Sequence, residues 1–537
     1  SRWVENGMTG ARNGTKIRYD AVVIGSGHNG LIAAAYLARA GKAVAVLERD
    51  SVLGGATSTV ERYPGHLTDR GSSSHLMIRH TGIIEELELG RFGLEYLDCD
   101  PWAFAPAPPG SGEPPLVFSS DLDATCASIA AACSERDAAA YREFVATWTP
   151  LAEGMMASFG SAPNPRGLGK LVGSYGMRHP LALSHQFLSS GDALLDYWFD
   201  SERLKAALAW FGAQSGPPMS SPATAPMIGF AALMHSIPPG RARGGSGALA
   251  EALIAAIRYN GGEVLASHAV TALSPDDGGA WTVRAGDRDF RARCVISAAH
   301  ILSTLELVRP LVPSADWARW RRGIRTGFGV GMPVRVGTDR LPTYEGARVE
   351  ESSRGLQLLV NDRTLLDRRY GVASAGALDA DPAVLVMSFS SLDPSLAPSG
   401  KHELTLWSQW HPRHLADGRS WDEVKDAEAD RIIAAVDSYS PGFADSVEHR
   451  FAQSPLDLER ELGLWGGNVM HVEMALDQML PFRPHPELAR YRIPGIAGLF
   501  LAGASQHPGG GVIGTSGRIS ASLARSYLRK AVTRKMF

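Results

Sequence analysis

Histidines that lie beside glycine-rich segments are the side chains of this 537-residue chain best suited to proton transfer. His507 lies in SQHPGGG, His471 in GNVMHVEM and His75 in RGSSSHLM. A histidine can take up or release a proton near neutral pH, so each is a candidate general base or hydrogen-bonding group. We place His507 first, because glycines that contact a flat or anionic ligand bring the neighbouring residue to that ligand. A structural role is the alternative for each histidine.

The first glycine segment, within residues 20–48, has the order of a dinucleotide-binding unit: strand, glycine turn, small-residue helix, second strand and acid. The first glycine permits the sharp turn, the second leaves room for a pyrophosphate, and the third lets the helix pack against the strand. The helix is predicted over about residues 29–40, with its N-terminal N–H groups directed at the phosphates. The candidate cofactor-binding residues here are Gly25, Gly27, His28, Asn29 and Gly30.

The acid that ends the second strand indicates which dinucleotide is held. Glu48 stands 18 residues after Gly30, close to the roughly 20-residue spacing of an acid that binds a ribose hydroxyl. Its charge would repel the 2′-phosphate of NADP. The segment that follows, RDSVLGGA, resembles the FAD-binding pattern of the glutathione-reductase-like superfamily, in which a glycine pair lets the chain bend under the cofactor. The candidate residues there are Arg49, Gly54, Gly55 and Ala56.

A second glycine run lies near the end of the chain, in GLFLAGASQHPGGGVIGTSG at residues 498–517. A short buried strand is predicted before it, and a helix is predicted after it over about residues 512–531. So many glycines before a helix indicate close backbone contact with a flat or anionic group. In the superfamily named above, that group is the ribityl chain and ring of the flavin. The candidate residues are Gly503, Gly511, Val512 and Gly514.

These two segments and a third, GGSGALAEAL at residues 244–253, together resemble the phytoene-desaturase-like FAD-dependent oxidoreductases. Within that family the chain is most similar to the subgroup of the pyridine nucleotide-disulfide oxidoreductase domain-containing protein 2, and residues 467–491 and 503–518 carry this likeness near the C-terminus. The resemblance implies FAD as the cofactor. It also implies an α/β fold, namely a glutathione-reductase-like split FAD-binding Rossmann domain with an inserted α+β substrate domain. A backbone contact from Val270 to the adenine, and a path for the His75 segment past the flavin, are implied as well.

The split arrangement sets the predicted domain boundaries. The FAD-binding domain is predicted from residues 18–105, 235–325 and 455–537, and the substrate-binding domain from residues 106–234 and 326–454. Residues 1–17 are predicted to be a disordered leader or an expression-vector remnant. Helices, indicated by apolar residues at helical spacing, are predicted over residues 136–156, 185–212 and 421–438.

Composition and charge argue against several other classes of protein. The net charge of −3, from 53 basic and 56 acidic residues, offers no electrostatic basis for binding nucleic acid. No apolar run reaches the ~18 residues of a membrane-spanning helix. Contact with a membrane surface stays possible, but no basic amphipathic helix supports it. The four cysteines form no CxxC pair, which argues against disulfide chemistry and favours a reducing cytoplasm. No HExxH or paired CxxC motif indicates a metal site.

A polar cluster lies in the otherwise apolar block before the second glycine run. It comprises Glu473, Asp477, Arg483 and His485. We expect the start of a helix with a buried ion pair here, and the alternative is a functional polar site.

These features favour an FAD-dependent dehydrogenase or desaturase. It would oxidise a C–C, or C–N, single bond of a largely apolar small molecule by hydride transfer to the flavin. Its electrons would then pass to oxygen, a quinone or another carrier. Two alternatives stay open. One is an amine-oxidase-like oxidase, which the scarcity of lysine disfavours because many such enzymes place a lysine near the flavin; the other is a flavoprotein scaffold without turnover. The sequence does not indicate the substrate or the oligomeric state.

Overall fold

The computed structural model describes residues 17–164 and 180–533, so the predicted leader lies outside it except for residue 17. Within the described residues the strands are β1 (Tyr19–Ile24), β2 (Val44–Leu47), β3 (Thr59–Tyr63), β4 (His66–Asp69), β5 (Tyr96–Asp98), β6 (Ala103–Ala105), β7 (Leu116–Phe118), β8 (Gly240–Ala242), β9 (Glu263–Leu265), β10 (Val270–Pro275), β11 (Trp281–Ala285), β12 (Arg288–Ser297), β13 (Gly331–Thr338), β14 (Leu356–Leu359), β15 (Ala383–Met387), β16 (His402–Gln409), β17 (Val447–Ala452) and β18 (Leu499–Leu501). The α-helices are α1 (His28–Arg39), α2 (Ile83–Glu86), α3 (Leu122–Ala132), α4 (Glu135–Ser158), α5 (Pro180–Leu188), α6 (Gly191–Trp198), α7 (Glu202–Ala213), α8 (Ala225–Gly229), α9 (Gly247–Tyr259), α10 (Ile301–Val308), α11 (Ser314–Gly323), α12 (Val349–Ser352), α13 (Arg363–Ser374), α14 (Trp421–Tyr439), α15 (Pro455–Leu462) and α16 (Thr515–Thr533).

A mixed sheet of seven strands carries the first glycine segment. Its parallel part has the order β9-β2-β1-β12-β18, which is 3-2-1-4-5 when these strands are counted along the chain. This is the order of doubly wound dinucleotide-binding sheets, whose ligand crevice opens where the order reverses. The reversal lies between β1 and β12, directly at the first glycine turn. The hairpin β10–β11 extends the sheet antiparallel to the first half of β12.

Helices cover both faces of this sheet, because its parallel strands are apolar on both sides. The helices α1, α9 and α16 pack on one face, and α10 and α11 pack on the other. Helix α1 begins at His28, one residue before the predicted start. Helix α16 begins at Thr515 rather than at about residue 512, since Gly514 holds a positive φ of 84° that belongs to the preceding loop.

A second seven-stranded sheet has the order β17-β13-β16-β15-β14-β6-β7 and is antiparallel except between β6 and β14. Helix α14 packs on one part of it, and helices α3 to α8 form an aromatic-rich core with another part. Every strand of the first sheet comes from the segments predicted for FAD binding. The second sheet uses the segments predicted for substrate binding, except that β6 lies at residues 103–105, before the predicted boundary.

The helices predicted over residues 136–156 and 421–438 are confirmed as α4 and α14. The helical segment predicted over residues 185–212 is divided into α5, α6 and α7, because serines start new helices inside it. Ser190 Oγ accepts the Ala193 N–H at 3.1 Å, and Ser201 Oγ accepts the Leu204 N–H at 3.5 Å. In the part of the chain that is described, no helix is both long and apolar enough to cross a bilayer.

Candidate active site

The first glycine turn and the glycine pair after Glu48 lie against each other. A Cβ atom added to Gly55 would stand 3.1 Å from Gly27 Cα, and the Gly54 N–H donates to Ser26 Oγ at 2.9 Å. Both glycines of the pair have positive φ, 109° and 56°, a conformation that favours glycine. A Cβ on Gly27 would meet no atom of the described residues within 4 Å. This turn therefore borders open space that a ligand can enter.

The N-termini of α1 and α16 lie side by side at the carboxyl end of the first sheet. A Cβ on Gly517 would overlap the Asn29 carbonyl oxygen, and the Gly517 N–H donates to Asn29 Oδ1 at 3.4 Å. A Cβ on Gly30 would overlap the Gly25 carbonyl oxygen, so the helix does pack closely on the turn at this glycine. Two helix N-termini thus place their free N–H groups and partial positive charge together.

Glu48 is buried and accepts three hydrogen bonds from its own chain. Its Oε2 atom accepts from the Ser26 N–H (2.8 Å) and hydroxyl (2.7 Å), and Oε1 accepts from the Asp50 N–H (2.9 Å). The carboxylate thus braces the glycine turn while keeping lone pairs that a ribose hydroxyl can use. The Glu48 carbonyl accepts from the His268 N–H (2.6 Å), which brings the segment leading to the half-buried Val270 to the same edge.

Two other predicted cofactor-binding residues have different surroundings. Arg49 is exposed, and its Nη2 donates to the Glu461 carbonyl (3.3 Å) near the end of α15. Ala56 is half-buried in the turn after the glycine pair, where its carbonyl accepts from the Ser72 N–H at 2.8 Å. Arg49 therefore points towards another helix, whereas Ala56 belongs to the glycine-pair turn itself.

The loop between β18 and α16 contains the second glycine run. A Cβ on Gly503 would stand 3.0 Å from the Ala298 carbonyl oxygen, and Gly514 packs against α1. Gly511 has a positive φ of 103° and borders open space. Val512 is buried with a φ of 54°, a left-handed conformation that is uncommon for a β-branched residue. The loop therefore packs against both the segment that follows β12 and helix α1.

Buried polar atoms without partners lie in this same region. Both polar side-chain atoms of Gln506 and the hydroxyl of Thr515 lack a hydrogen-bond partner within the described structure. Buried amides and hydroxyls are nearly always paired. These atoms are therefore available to hydrogen-bond a further polar group.

One imidazole that the sequence analysis missed, His300, follows β12 and stacks on His471. The ring centroids are 4.9 Å apart and the planes differ by 16°. His300 Nδ1 accepts from the Leu302 N–H (3.1 Å), so Nε2 carries the proton and donates to the His471 carbonyl (3.1 Å). His471 Nδ1 lies 3.0 Å from Ser505 Oγ. Tertiary packing brings these histidines together, 171 residues apart in the chain, and no local motif surrounds His300.

His28 and His471 lie in surroundings that disfavour a charged imidazole. Burial lowers the pKa of His28 to about 4 and that of His471 well below its usual value. Both residues nevertheless retain solvent-accessible surface. The positive charge that His28 would carry also lowers the pKa of His471, so the two rings lie near each other.

His75 is fully buried, and both of its ring nitrogens have partners. Nδ1 lies 2.6 Å from the Tyr96 hydroxyl, and Nε2 lies 2.8 Å from the Ser246 hydroxyl. Burial, with a smaller contribution from Arg241, lowers its pKa to about 3. The geometry gives this ring a structural role and does not support proton transfer by His75.

His507 is 2% exposed, and its ring meets Phe159 edge-on with centroids 5.5 Å apart. Burial lowers its pKa to about 4, opposed by a hydrogen bond with the Ser158 carbonyl. Its own carbonyl accepts from the Tyr491 hydroxyl. The ring therefore points to the end of α4, although its neighbours in the sequence are the glycines that border open space.

The acids of the polar cluster form ion pairs, but their partner is an arginine outside the cluster. Arg325, which the sequence analysis missed, binds Glu473 (2.8 Å) and Asp477 (2.8 Å) near the surface. Arg483 is fully buried and donates to backbone carbonyls instead. His485 lies apart, beside Gly323.

A cavity of about 600 Å³ lies beside the second glycine run. Met470 and Met474 line it and also contact that run, since a Cβ on Gly510 would stand 2.6 Å from Met470 Sδ and one on Gly509 3.1 Å from Met474 Sδ. Two thioether side chains therefore lie between the cavity and Gly509 and Gly510, whereas a Cβ on Gly511 would meet neither of them. The aromatic residues that line the cavity are Phe328, Tyr370, Trp410 and Phe482.

Comparison with known proteins places this arrangement in a family. The profile of the flavin-containing amine oxidoreductases matches residues 30–522. The chain belongs to this family. The rat pyridine nucleotide-disulfide oxidoreductase domain-containing protein 2 is 34% identical over 96% of this chain and 95% of its own length. A phytoene desaturase of Fusarium fujikuroi is 24% identical over 92% of this chain and 87% of its own length. A solved structure of a putrescine oxidase variant is similar in fold, with a TM-score of 0.62 at 16% identity, over 96% of this chain and 99% of that one.

This flavin-containing oxidoreductase is therefore an FAD-dependent enzyme with an α/β FAD-binding fold. The resemblance to phytoene-desaturase-like proteins is confirmed. Its residues fit the cofactor, because Gly27 and Gly511 border open space where backbone must approach a ligand closely. The unpaired Gln506 amide and Thr515 hydroxyl supply a donor and acceptors for a polar ring or chain.

The buried imidazoles predict how stability depends on pH. In the folded protein burial lowers the pKa of His75 to about 3 and those of His300 and His507 to about 4, from an ordinary value of 6.5. The unfolded chain therefore binds more protons between about pH 4 and 6.5, and the free energy of unfolding falls as the pH falls through this window. Glu403 has the opposite effect, because burial raises its pKa to about 8. The stability that its protonated form contributes is lost as the pH rises above 4.5.

Chemical denaturation of the FAD-loaded protein between about pH 4.5 and 6.5 would measure this dependence. We expect His75→Gln to reduce the slope of unfolding free energy against pH, because one titrating group is removed. The control is His449→Gln, because His449 is exposed rather than buried. An identical slope in the wild type and His75→Gln would contradict the prediction.

Proposed function

We propose that this chain is an FAD-dependent dehydrogenase that oxidises a C–C, or C–N, single bond of a largely apolar small molecule. The observation that carries the proposal is the cavity of about 600 Å³, whose inner wall, Met470 and Met474, contacts the second glycine run. Aromatic and thioether side chains suit an apolar molecule, and flexible methionines adapt to its shape. The similarity to a phytoene desaturase supports oxidation of a C–C bond.

The placement of FAD is part of this proposal, as is a glutathione-reductase-like split domain, which the 3-2-1-4-5 strand order supports. Gly27 and the N-terminus of α1 would receive the pyrophosphate, and Glu48 would receive a ribose hydroxyl. Gly511 and the N-terminus of α16 would lie against the ribityl chain and ring. When bound there, the flavin would be the hydride acceptor of the reaction.

The protein itself must bind the substrate, exclude water and take a proton. A hydride leaves one atom of the substrate and a proton leaves its neighbour, so that a double bond forms. Once the hydride has left, the neighbouring proton is strongly acidic and a weak base is sufficient. We propose His471 for this role, because its neighbour in the chain, Met470, lines the cavity, its Nδ1 lies 3.0 Å from Ser505 Oγ and its ring stacks on His300. The electrons would leave to oxygen, a quinone or another carrier.

The placement of the lysines supports this proposal over an amine-oxidase-like reaction that uses a lysine near the flavin. None of the described residues that line the cavity is a lysine. Three lysines are held elsewhere in ion pairs with acids, namely Lys205, Lys401 and Lys425. Among the described side chains, an imidazole rather than a lysine is therefore available to remove the proton, and water is the other candidate.

Anaerobic visible spectra of the FAD-loaded protein test the function. We expect the flavin absorbance to persist with NADH or NADPH and to bleach with an apolar alkene such as phytoene, because electrons come from the substrate. Rapid bleaching by a nicotinamide would point to a reductase or monooxygenase instead. Bleaching by putrescine, with formation of peroxide in air, would favour an amine oxidase. A flavin that no donor reduces would support a scaffold without turnover.

Filling the cavity is expected to impair turnover without affecting the cofactor. Ala475 lines the cavity, so Ala475→Trp should occupy substrate space and lower kcat/KM at least about tenfold, equivalent to ~1.4 kcal/mol. The FAD content and visible spectrum should stay as in the wild type. The small change Ala475→Ser is the matched control and should retain activity. Full activity of Ala475→Trp towards the alkene that bleaches the wild type would exclude this cavity as the substrate site.

A further inference from the structure

Arg483 is a fully buried guanidinium that joins two segments of the active site. Its strongest hydrogen bonds go to the carbonyls of Met470 (2.6 Å), on the cavity-lining segment, and Ala504 (2.7 Å), in the second glycine-run loop. Longer bonds, of 3.3–3.4 Å, reach the carbonyls of four further residues: Val472, Glu473, Gln478 and Gln506. The side chain thus ties residues 470–478 to residues 504–506.

The positive charge of Arg483 has no paired carboxylate in the part of the chain that is described. The three other fully buried arginines of the described residues lie near carboxylates: Arg241 pairs with Asp69, and Arg369 lies 3.4 Å from Glu428. Arg335 forms no ion pair with a described residue, but while burial lowers its pKa, the charges of Asp69 and Glu403 raise it. Burying a cation without a counter-charge is unfavourable unless a dense set of hydrogen bonds or a ligand compensates it. Carbonyl oxygens bear only partial negative charge, so a full charge remains to interact with whatever lies against the loop.

The charge of Arg483 also affects the pKa values of the neighbouring imidazoles. Beyond burial, Arg483 lowers the pKa of His300, His471 and His507. A Cβ on Gly509 would stand 3.4 Å from Arg483 Cζ, so the guanidinium lies directly behind the glycine run. Burial lowers the pKa of Arg483 itself to about 9, which leaves it protonated at neutral pH.

We propose that Arg483 is a positioning residue for the flavin, which holds the glycine-run loop against the cavity wall and supplies an unpaired positive charge that favours negative charge on the flavin ring. This rests on the proposed placement of FAD at residues 503–514. Hydride transfer adds a pair of electrons to the ring, so a fixed cation behind it makes the flavin a stronger acceptor. The charge acts without moving, because the carbonyls hold the guanidinium rigidly.

Sulfite affinity tests the charge directly, because sulfite adds to oxidised flavin and leaves a negative charge on the ring. We expect Arg483→Gln to weaken sulfite binding at least tenfold relative to wild type. Arg483→Lys, which keeps the charge but loses the planar set of donors, should bind sulfite nearly as well as the wild type while losing stability. Arg369→Gln, at a buried arginine whose hydrogen bonds go to Gln409, Asp379, His411 and Glu428, should lose stability without changing sulfite affinity. Equal sulfite affinities for the wild type and Arg483→Gln would overturn the proposal.

A second pair of variants covers the case in which Arg483→Gln does not fold. Met474 Sδ lies 3.4 Å from an Arg483 Nη1 atom, so Met474→Glu would place a carboxylate beside the guanidinium and leave its carbonyl bonds intact. Met474→Gln matches the size without the charge. We expect weaker sulfite binding only in Met474→Glu, and equal affinities in the two variants would refute the role of the charge. The measurement needs bound FAD but no substrate, so wild-type reduction by an alkene tests the proposed function separately.

Discussion

Gly27→Ala is expected to yield a folded protein that no longer retains FAD. A Cβ at this position meets no protein atom within 4 Å, and the backbone φ of −59° is one that alanine adopts freely. The fold should therefore tolerate the change. The added methyl group would instead occupy the space where the pyrophosphate approaches the backbone, and we expect FAD affinity to fall at least about 100-fold, or ~2.7 kcal/mol.

The measurement is titration of FAD into the purified apoprotein, followed by flavin fluorescence, with circular dichroism as the check on folding. Gly371→Ala is the matched control, because Gly371 also has no neighbour within 4 Å of an added Cβ and lies on α13, away from the glycine turns. That variant should bind FAD normally and be slightly more stable, since alanine favours a helix. Wild-type FAD affinity in Gly27→Ala would contradict the placement of the pyrophosphate.

The parts of this site that the sequence predicts are those whose interactions are local. The unit from β1 to Glu48 depends on glycines, small residues and an acid that lie within about 30 residues of one another. Steric limits on the backbone then leave few alternatives. The start of α16 is less well predicted, because Gly514 delays the helix and nothing in the local spacing distinguishes a glycine loop from a helical first turn.

The partners of the charged and titratable groups are not predictable in this way. Arg483 belongs to a sequence cluster with two acids, yet those acids bind Arg325 and leave Arg483 to the carbonyls. His300 stands alone in the sequence and meets His471 only through tertiary packing. Whether both ring nitrogens of a histidine are occupied, as in His75, depends on residues far away in the chain. Residue type and neighbours indicate the chemistry available, whereas tertiary structure decides which group is free to perform it.

Gly517→Ala is expected to lower both stability and FAD affinity. Gly517 is the third residue of α16, and a Cβ there would overlap the Asn29 carbonyl oxygen at the start of α1. The new Cβ is fixed to α16 and the carbonyl oxygen belongs to the backbone of α1, so the two helices must move apart. Overpacking of this kind costs roughly 1–3 kcal/mol. Chemical denaturation of the variant should show this loss, and FAD titration should show weaker binding because the two helix N-termini no longer converge.

Ser522→Ala is the control on the same helix, since Ser522 is exposed and alanine should leave stability unchanged or slightly higher. The comparison with Gly27→Ala separates two contributions to the site. A methyl group at Gly27 removes a ligand contact and leaves the fold intact, whereas one at Gly517 disturbs packing between segments 488 residues apart. If Gly517→Ala kept both its stability and its FAD affinity, the contact between Gly517 and Asn29 would not support the proposed FAD site.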